Sequence, residues 1–210
     1  MEAKVLIKIC GVTDPETAFA AAKLGASFIG LVFYCGSKRY VDIKQAIKIT
    51  KATKLAGALP VGVFVDNSAE EITAICAQTG INIAQLHGHI AKSAASNLKK
   101  LQRIYVINVG YDGSIIQENM TCLNLSKERD YILFDGIDHG SGKNFNFDNF
   151  KPNTDFKFFI AGGLNPENVN KVITKFHPVA VDVSTGVENS SGVKDLALIE
   201  KFITQVKNRN

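Results

Sequence analysis

The sequence lacks the features that mark several classes of protein. Its four cysteines stand far apart, at positions 10, 35, 76 and 122, with no Cys-x-x-Cys pair and no histidine at zinc spacing. The longest apolar stretch, residues 55–65, is broken by Pro60 and is too short for the roughly 20 residues that cross a membrane. The N-terminus has no apolar block with a small-residue cleavage site. We therefore expect a cytoplasmic protein without disulfides, metal or a membrane partner.

An excess of charge of one sign is also missing. Lys and Arg total 24 against 20 Asp and Glu, a formal net charge of +4, and the basic residues are scattered. This balance argues against a nucleic-acid partner and is compatible with an anionic small substrate. Hydrophobic residues make up 46% of the 210 residues and charged residues 21%, which is typical of a globular chain. We expect one domain over residues 1–210.

Short apolar runs alternate with longer amphipathic stretches. Most runs are β-branched or aromatic at consecutive positions, as in strands buried on both faces of a parallel sheet. The eight runs cover residues 5–10, 28–33, 61–65, 81–86, 104–109, 131–134, 156–161 and 179–183. Eight strand–helix units predict an α/β fold, a single (β/α)8 TIM barrel, with an open doubly wound sheet as the competing architecture. The nucleotide signatures G-x-G-x-x-G and the Walker loop are missing.

Capping signals predict the ends of several connecting helices. They are Asp14-Pro15 with Gly25, Ser68 with Glu71, and Asn165-Pro166. Apolar residues at helical spacing between positions 196 and 206 predict the last helix. Residues 110–130 predict only a weak helix. Residues 135–155, rich in Gly, Asn and Asp, indicate a long functional loop or a loosely helical connection.

Residues that follow the strands of a barrel converge on one rim, where active sites are built. Here they include Cys10, Arg39, His87, Asp135 and Asp182. Each has a structural alternative: a small buried thiol, a surface charge, or a hydrogen-bonded His or Asp. Asp135 ends an apolar strand, where an unpaired carboxylate would be costly to bury, and this favours a functional or capping role.

Two glycine-containing loops follow the seventh and eighth predicted strands. Gly162-Gly163 and Ser184-Thr185-Gly186 would let backbone N–H groups approach an anion closely. Phosphate commonly binds to these two loops in such barrels. The alternative is that Gly162 and Gly163 only permit a tight turn before Pro166.

Eight motifs stand in the order of one known family. They are Lys8-Ile9-Cys10-Gly11, Phe33-Tyr34 with Ser37-Lys38-Arg39-Tyr40, Val61-Gly62-Val63-Phe64-Val65, Gln85-Leu86-His87-Gly88, Leu133-Phe134-Asp135, Gly140-Ser141-Gly142-Lys143, Ala161-Gly162-Gly163-Leu164-Asn165-Pro166-Glu167-Asn168-Val169 and Val181-Asp182-Val183-Ser184-Thr185-Gly186-Val187-Glu188. Over nearly its whole length the chain resembles the phosphoribosylanthranilate isomerases of tryptophan biosynthesis.

The resemblance implies a (β/α)8 barrel, an aldose–ketose isomerase that performs an Amadori rearrangement without metal or cofactor. It makes Cys10 the general base and Asp135 the general acid. Arg39 would contact the anthranilate carboxylate, and His87 and Asp182 would line the sugar site. The implied phosphate-binding residues are Ser141, Gly142, Gly162, Gly163, Ser184, Thr185 and Gly186. We expect a monomer acting on a small phosphorylated substrate, with a homodimer as the alternative.

Some positions depart from the family pattern. His139 stands where a glycine usually begins the loop after the sixth strand, and Asn146-Phe147 stands where Asp-Trp is common. Two other functions stay open. A histidine-pathway aminoaldose isomerase typically has Asp at the end of the first strand, where this chain has Cys10. A non-catalytic barrel that binds a phosphorylated ligand would not need both Cys10 and Asp135.

Overall fold

The computed structural model describes residues 4–116, 124–136 and 146–208. Eight strands form a closed parallel barrel in the order β1 to β8, each paired with its neighbours in sequence and β8 with β1. Their bounds are β1 Leu6–Cys10, β2 Phe28–Val32, β3 Leu59–Phe64, β4 Ile83–Leu86, β5 Gln102–Val109, β6 Tyr131–Gly136, β7 Phe158–Ile160 and β8 Ala180–Val183. The predicted TIM barrel is confirmed, and every predicted strand is present.

Six α-helices lie in the described ranges. They are α1 Pro15–Leu24, α2 Ile43–Leu55, α3 Ala69–Thr79, α4 His89–Ser93, α5 Val169–Phe176 and α6 Leu196–Lys207. Short 3₁₀ helices cover Ala95–Asn97 and Thr185–Val187. None of these helices is long and apolar enough to cross a membrane.

The predicted caps of α1 and α3 are confirmed. Asp14 accepts a hydrogen bond from the Thr17 amide, and Gly25 ends α1 with a φ of +123°. Ser68 and Glu71 form the reciprocal bonds of a capping box at the start of α3. These local signals depend only on neighbouring residues, which is why the sequence reveals them.

The prediction that Asn165-Pro166 opens a helix is wrong by three residues, because α5 begins at Val169. The Asn165 side chain instead accepts from the amides of Glu167 and Asn168, both at 3.0 Å, and so stabilises a turn before the helix. Helix α2 was not predicted from the sequence, although Asp42 caps it by accepting a hydrogen bond from the Gln45 amide at 2.7 Å.

Part of each irregular connection lies outside the described residues. Within 110–116 and 124–130 there are turns and an isolated antiparallel bridge from Val109 to Ile115, so the weak helix predicted there is wrong for those residues. Residues 146–155 form a turn followed by a segment without regular secondary structure. Both segments therefore return the chain to the barrel without a helix in the described ranges.

The core has two layers, as alternation along a barrel strand requires. Inward-facing side chains fill the barrel with an apolar cluster of Phe28, Val61, Ile83, Ile104, Val106, Leu133, Phe159, Ala161 and Ala180. Outward-facing residues such as Ile7 and Ile9 pack against the helices in a second, larger cluster. The inner cluster closes the barrel below the carboxyl ends of the strands.

Candidate active site

The carboxyl ends of the strands surround a cavity of about 870 Å³. The five predicted rim side chains, Cys10, Arg39, His87, Asp135 and Asp182, all line it. Four residues of the predicted phosphate loops do so as well, namely Gly162, Gly163, Ser184 and Thr185. Gly186 is not among the lining residues, and Ser141 and Gly142 lie outside the described part of the chain.

Along the strands, the side chains that point into the barrel are apolar at first and become polar at the carboxyl ends of the strands. Asp135 stands two residues after Leu133 on β6, and Asp182 two residues after Ala180 on β8. Side chains two positions apart on a strand share a face. The apolar interior of the barrel is therefore followed directly by polar side chains at the bottom of the cavity, and β4 contributes the buried Gln85 to them.

Lys8 is fully buried inside the barrel. Its ammonium donates a hydrogen bond to Asp182 Oδ2 at 2.8 Å, across the β1–β8 pairing that places the two residues side by side. Lys8 is also next to the Cys10 thiol, two residues along the same strand, and the charges of the two groups interact. Burial would lower the pKa of Lys8, but the Asp182 carboxylate and the Cys10 sulfur outweigh burial and raise it. The lysine is therefore a permanent cation next to the thiol.

Lys8 belongs to the first family motif, but the sequence alone gave it no role. A signal was present, because a lysine between Ile7 and Ile9 interrupts an otherwise apolar strand. Full burial of a lysine is rare unless it is paired.

Cys10 lies at the end of β1 and is 9% exposed. Burial raises the pKa of its thiol, and the charge of Lys8 opposes that rise. Gly30 on β2 makes room for this arrangement, since a Cβ there would lie 2.8 Å from Cys10 Sγ and 3.2 Å from Lys8 Nζ. A free thiol in contact with a cation is thus held at the base of the cavity.

Arg39 is anchored by Glu188, to which the sequence patterns assigned no function. Its Nε and Nη2 donate to the two carboxylate oxygens of Glu188, at 2.6 and 2.7 Å. Lys194 donates to the same carboxylate at 2.5 Å and to the backbone and hydroxyl oxygens of Ser184. Burial would raise the pKa of Glu188, but the bonds from Arg39 and Lys194 lower it. Glu188 is therefore an anion that joins the loops after β2 and β8.

His87 and Asp135 face each other from β4 and β6. His87 Nε2 lies 3.8 Å from Asp135 Oδ2, and both side chains are partly exposed, at 16% and 15%. The loop after β7 passes directly beside them, because a Cβ on Gly162 would come within 2.7 Å of the Gly136 amide and 3.2 Å of Asp135 Oδ1. The carboxyl group consequently lies between an imidazole and a glycine backbone.

The two glycine-containing loops after β7 and β8 have tight turns in which the backbone lies close to neighbouring groups. Gly162 and Gly163 have φ values of +89° and +66°, which residues with side chains rarely adopt. Asn168 Nδ2 donates to the Gly163 carbonyl at 2.9 Å, and Ser184 Oγ donates to the Cys10 carbonyl at 3.1 Å. Gly186 has a packing role, because a Cβ there would lie 1.9 Å from the Leu164 carbonyl oxygen.

Two buried acceptors face the cavity. Among the described residues, Gln85 Oε1 and Asp182 Oδ1 accept no hydrogen bond from the protein. Buried polar atoms normally have partners, so hydroxyl groups of a bound molecule would satisfy them. The described ranges contain no group of three or more His, Cys, Asp or Glu side chains that could hold a metal ion.

Known proteins resemble this chain in sequence. A family model described as N-(5'phosphoribosyl)anthranilate (PRA) isomerase matches residues 7–205. The N-(5'-phosphoribosyl)anthranilate isomerase of Chlamydia felis is 42% identical over 203 residues, which are 96% of this chain and 96% of that protein.

Known proteins share the fold as well. A structure of monomers of the dimeric phosphoribosylanthranilate isomerase from Thermotoga maritima has a TM-score of 0.75 and 31% identity, and covers 97% of this chain and 99% of that chain. A phosphoribosyl anthranilate isomerase in complex with reduced 1-(o-carboxyphenylamino)-1-deoxyribulose 5-phosphate has a TM-score of 0.74, 32% identity and the same coverage. The chain therefore belongs to the N-(5'-phosphoribosyl)anthranilate isomerase family.

Proposed function

We propose that this chain converts N-(5-phosphoribosyl)anthranilate into 1-(2-carboxyphenylamino)-1-deoxyribulose 5-phosphate in tryptophan biosynthesis, by general acid–base catalysis. The observation that carries the proposal is that one cavity holds the Cys10 thiol, the Asp135 carboxyl and the loop of Gly162 and Gly163. Membership of the isomerase family supports the same reaction. A base, an acid and an anion site are the three groups that this rearrangement requires.

Asp135 acts as the acid in the first step. It gives a proton to the furanose ring oxygen, so that the ring opens to a Schiff base between the sugar carbon and the anthranilate nitrogen. Its carboxyl group is partly exposed to the cavity, within reach of a bound sugar. His87, 3.8 Å away, lines the same part of the sugar site. A positioned acid of this kind contributes about 10²- to 10⁴-fold to the rate.

Cys10 acts as the base in the second step. Its thiolate removes the proton from C2′, and the electron pair moves to give an enolamine, which tautomerises to the ketone. The thiolate is the reactive form, and it becomes a neutral thiol as it takes the proton from carbon. Asp182 Oδ1, which has no protein donor in the described residues, accepts a hydrogen bond from a sugar hydroxyl during this step.

The two anionic ends of the substrate have separate sites. The phosphate binds to the backbone N–H groups of Gly162 and Gly163, with Ser184 and Thr185 on the adjoining loop. Arg39 binds the anthranilate carboxylate with the guanidinium group that Glu188 holds in place. The distance between these sites sets the length of substrate that fits.

We also propose that residues 1–210 act as one domain, in the cytoplasm, as a monomer. A homodimer is the alternative, since the relative from Thermotoga maritima is dimeric. Light scattering behind size-exclusion chromatography, over a range of protein concentrations, distinguishes a mass of 22.8 kDa from twice that value.

The test of the reaction is a fluorescence assay with freshly generated phosphoribosylanthranilate and purified protein. We expect rapid loss of substrate fluorescence and a product that co-elutes with the authentic rearranged ketose phosphate, since substrate and product are isomers of equal mass. Folded protein that leaves the fluorescence unchanged would refute the proposal. Binding of the phosphorylated product without turnover would identify a non-catalytic barrel, and turnover of the histidine-pathway aminoaldose would identify the other isomerase.

A further inference from the structure

A base that is a buried thiol needs a charge to stabilise its ionised form. We propose that Lys8 is a positioning residue for this base: its ammonium group, held in place by Asp182, stabilises the thiolate of Cys10. The catalytic consequence rests on the function proposed above. The effect of Lys8 on the thiol is a property of the folded protein and can be measured without substrate.

The geometry brings the two groups together from one strand. Lys8 and Cys10 are two residues apart on β1, so both side chains point into the barrel. Gly30 on the neighbouring strand has no side chain to separate them, and its missing Cβ would touch both Cys10 Sγ and Lys8 Nζ. The hydrogen bond from Lys8 to Asp182 at 2.8 Å fixes the ammonium group at that place.

Stability alone does not account for this ion pair. Both partners are almost fully inaccessible to solvent, at 0% and 7% exposure of their side chains. Desolvating two charges is costly, and apolar residues of similar size often serve a core equally well. Apolar side chains fill the positions below the pair in the barrel, so such a replacement suits this site. The pair is therefore better explained by what it does for the adjacent thiol.

Other charges also face Cys10, and Lys8 differs from them. Burial raises the pKa of the Asp182 carboxyl on β8, and Lys8 opposes that rise, whereas Arg39 and Lys194, in the loops after β2 and β8, are basic groups. Arg39 and Lys194 both bind Glu188, whereas the Lys8 ammonium adjoins the thiol beside Gly30 on the barrel interior. Asp135 and His87 stand on other strands that line the same cavity. The surroundings of the thiol thus hold three basic groups and the three carboxyl groups of Asp182, Glu188 and Asp135, and Lys8 lowers the pKa of the thiol more than Lys194 does.

The first experiment measures the thiol directly. Wild type and Lys8→Met are alkylated with iodoacetamide between pH 6 and 10, and the peptide that contains Cys10 is quantified by mass spectrometry. An opposite charge within about 4–6 Å changes a pKa by roughly one unit or more, so we expect Cys10 in Lys8→Met to react at least about tenfold more slowly at neutral pH. The exposed Cys35 in the same sample should react at an unchanged rate.

The second experiment measures turnover. In Lys8→Met we expect the rise of kcat/KM with pH to move to higher pH, with kcat lowered at pH 7, partly restored at pH 9, and KM little changed. Lys8→Arg keeps the charge and should restore most of the activity. Lys92→Met is the matched control, because it removes another mostly buried lysine, 5.6 Å from the Tyr105 ring.

Unchanged alkylation of Cys10 in a folded Lys8→Met protein would overturn the proposal. If that variant does not fold, because Asp182 has lost its partner, Asp182→Asn is compared with the double variant Lys8→Met/Asp182→Asn. That comparison removes the lysine charge without leaving a buried carboxylate, and equal alkylation rates in the two proteins would again overturn it. If the wild-type protein fails to isomerise the substrate, only the proposed function fails, since alkylation still decides the role of Lys8.

Discussion

Arg39 and Glu188 form a bidentate pair between the loops that follow β2 and β8, with N–O distances of 2.6 and 2.7 Å. The pair fixes the plane of the guanidinium group and leaves Nη1 without a hydrogen-bond acceptor among the described residues. Lys194 donates to the same Oε1 oxygen that accepts from Arg39 Nε, so two cations share one carboxylate. The arginine is thus oriented before a substrate arrives, so little conformational entropy is lost when it binds a carboxylate.

We predict that Arg39→Met weakens kcat/KM for phosphoribosylanthranilate by about 10- to 150-fold, since hydrogen bonds to charged groups contribute roughly 1.5–3 kcal/mol. The aniline analogue, which lacks the carboxylate, should lose little. The measurement is the ratio of kcat/KM for the two substrates in wild type and variant, with Lys44→Met on the exposed side of α2 as control. An equal loss for both substrates would show that Arg39 does not bind the carboxylate.

Removing either proton-transfer group should affect turnover and spare binding. We predict that Cys10→Ala and Asp135→Asn each lower kcat by at least about 10²-fold, while affinity for the product changes little. Steady-state kinetics and isothermal titration with the product measure the two quantities. Near-normal turnover by Cys10→Ala would refute its assignment as the base.

The phosphate site can be tested by comparing two glycines that both have a positive φ. Gly163 has a φ of +66° and lines the cavity. Gly57 has a φ of +90° and lies between α2 and β3, where a Cβ would meet no described atom within 4 Å. Valine should strain both positions, so both variants lose stability. We predict a sharp rise in KM, and weaker product binding, for Gly163→Val only. Normal binding by folded Gly163→Val would mean that this loop is only a turn.

A second buried ion pair makes a prediction about stability. Asp130 is 1% exposed, and its carboxylate accepts hydrogen bonds from the backbone amide and the guanidinium group of the buried Arg103. Burial would raise the pKa of Asp130, but the bonds from Arg103 and from the Ser126 amide lower it. A carboxyl whose pKa is lower in the folded than in the unfolded state stabilises the fold above the unfolded pKa, and this contribution is lost as pH falls through the folded pKa.

We therefore predict that Asp130→Asn lowers the free energy of unfolding at pH 7 by about 3–5 kcal/mol. The difference from wild type should shrink as pH falls below about 4, where the carboxyl of the unfolded chain begins to be protonated, and it should vanish below the lower pKa of the folded state. Urea unfolding at several pH values measures both effects. Asp155→Asn, which breaks the exposed pair with Lys127 at 2.9 Å, should cost no more than about 1 kcal/mol. Similar losses in the two variants would contradict the prediction.

The strands were predictable because a strand buried on both faces is a continuous apolar run. The helices were harder to predict from the sequence than the strands. The buried face of α2 consists of Ala46, Ile49, Thr50 and Thr53, and this half-polar stripe gives a faint amphipathic signal. In α6, Leu196 belongs to the predicted apolar face but is 46% exposed.

The rim residues were predictable for a topological reason, since the ends of successive strands must meet. The partners of those residues were not. Glu188 lies 149 positions from Arg39, and their contact depends on how two loops fold over the cavity. The pairing of Lys8 with Asp182 depends on the register between β1 and β8, which the apolar pattern of either strand leaves undetermined. Long-range register and loop packing are thus the features that local patterns do not predict.

The 174 positions between Lys8 and Asp182 have a consequence for synthesis on the ribosome. The first strand carries a cation that is costly to bury until its counter-ion, on the last strand, has been made. A nascent chain that lacks β8 would therefore keep β1 hydrated, so that β1 and β8 would enter the barrel together. Chains truncated before β8 should accordingly remain open and accessible to proteases and chaperones.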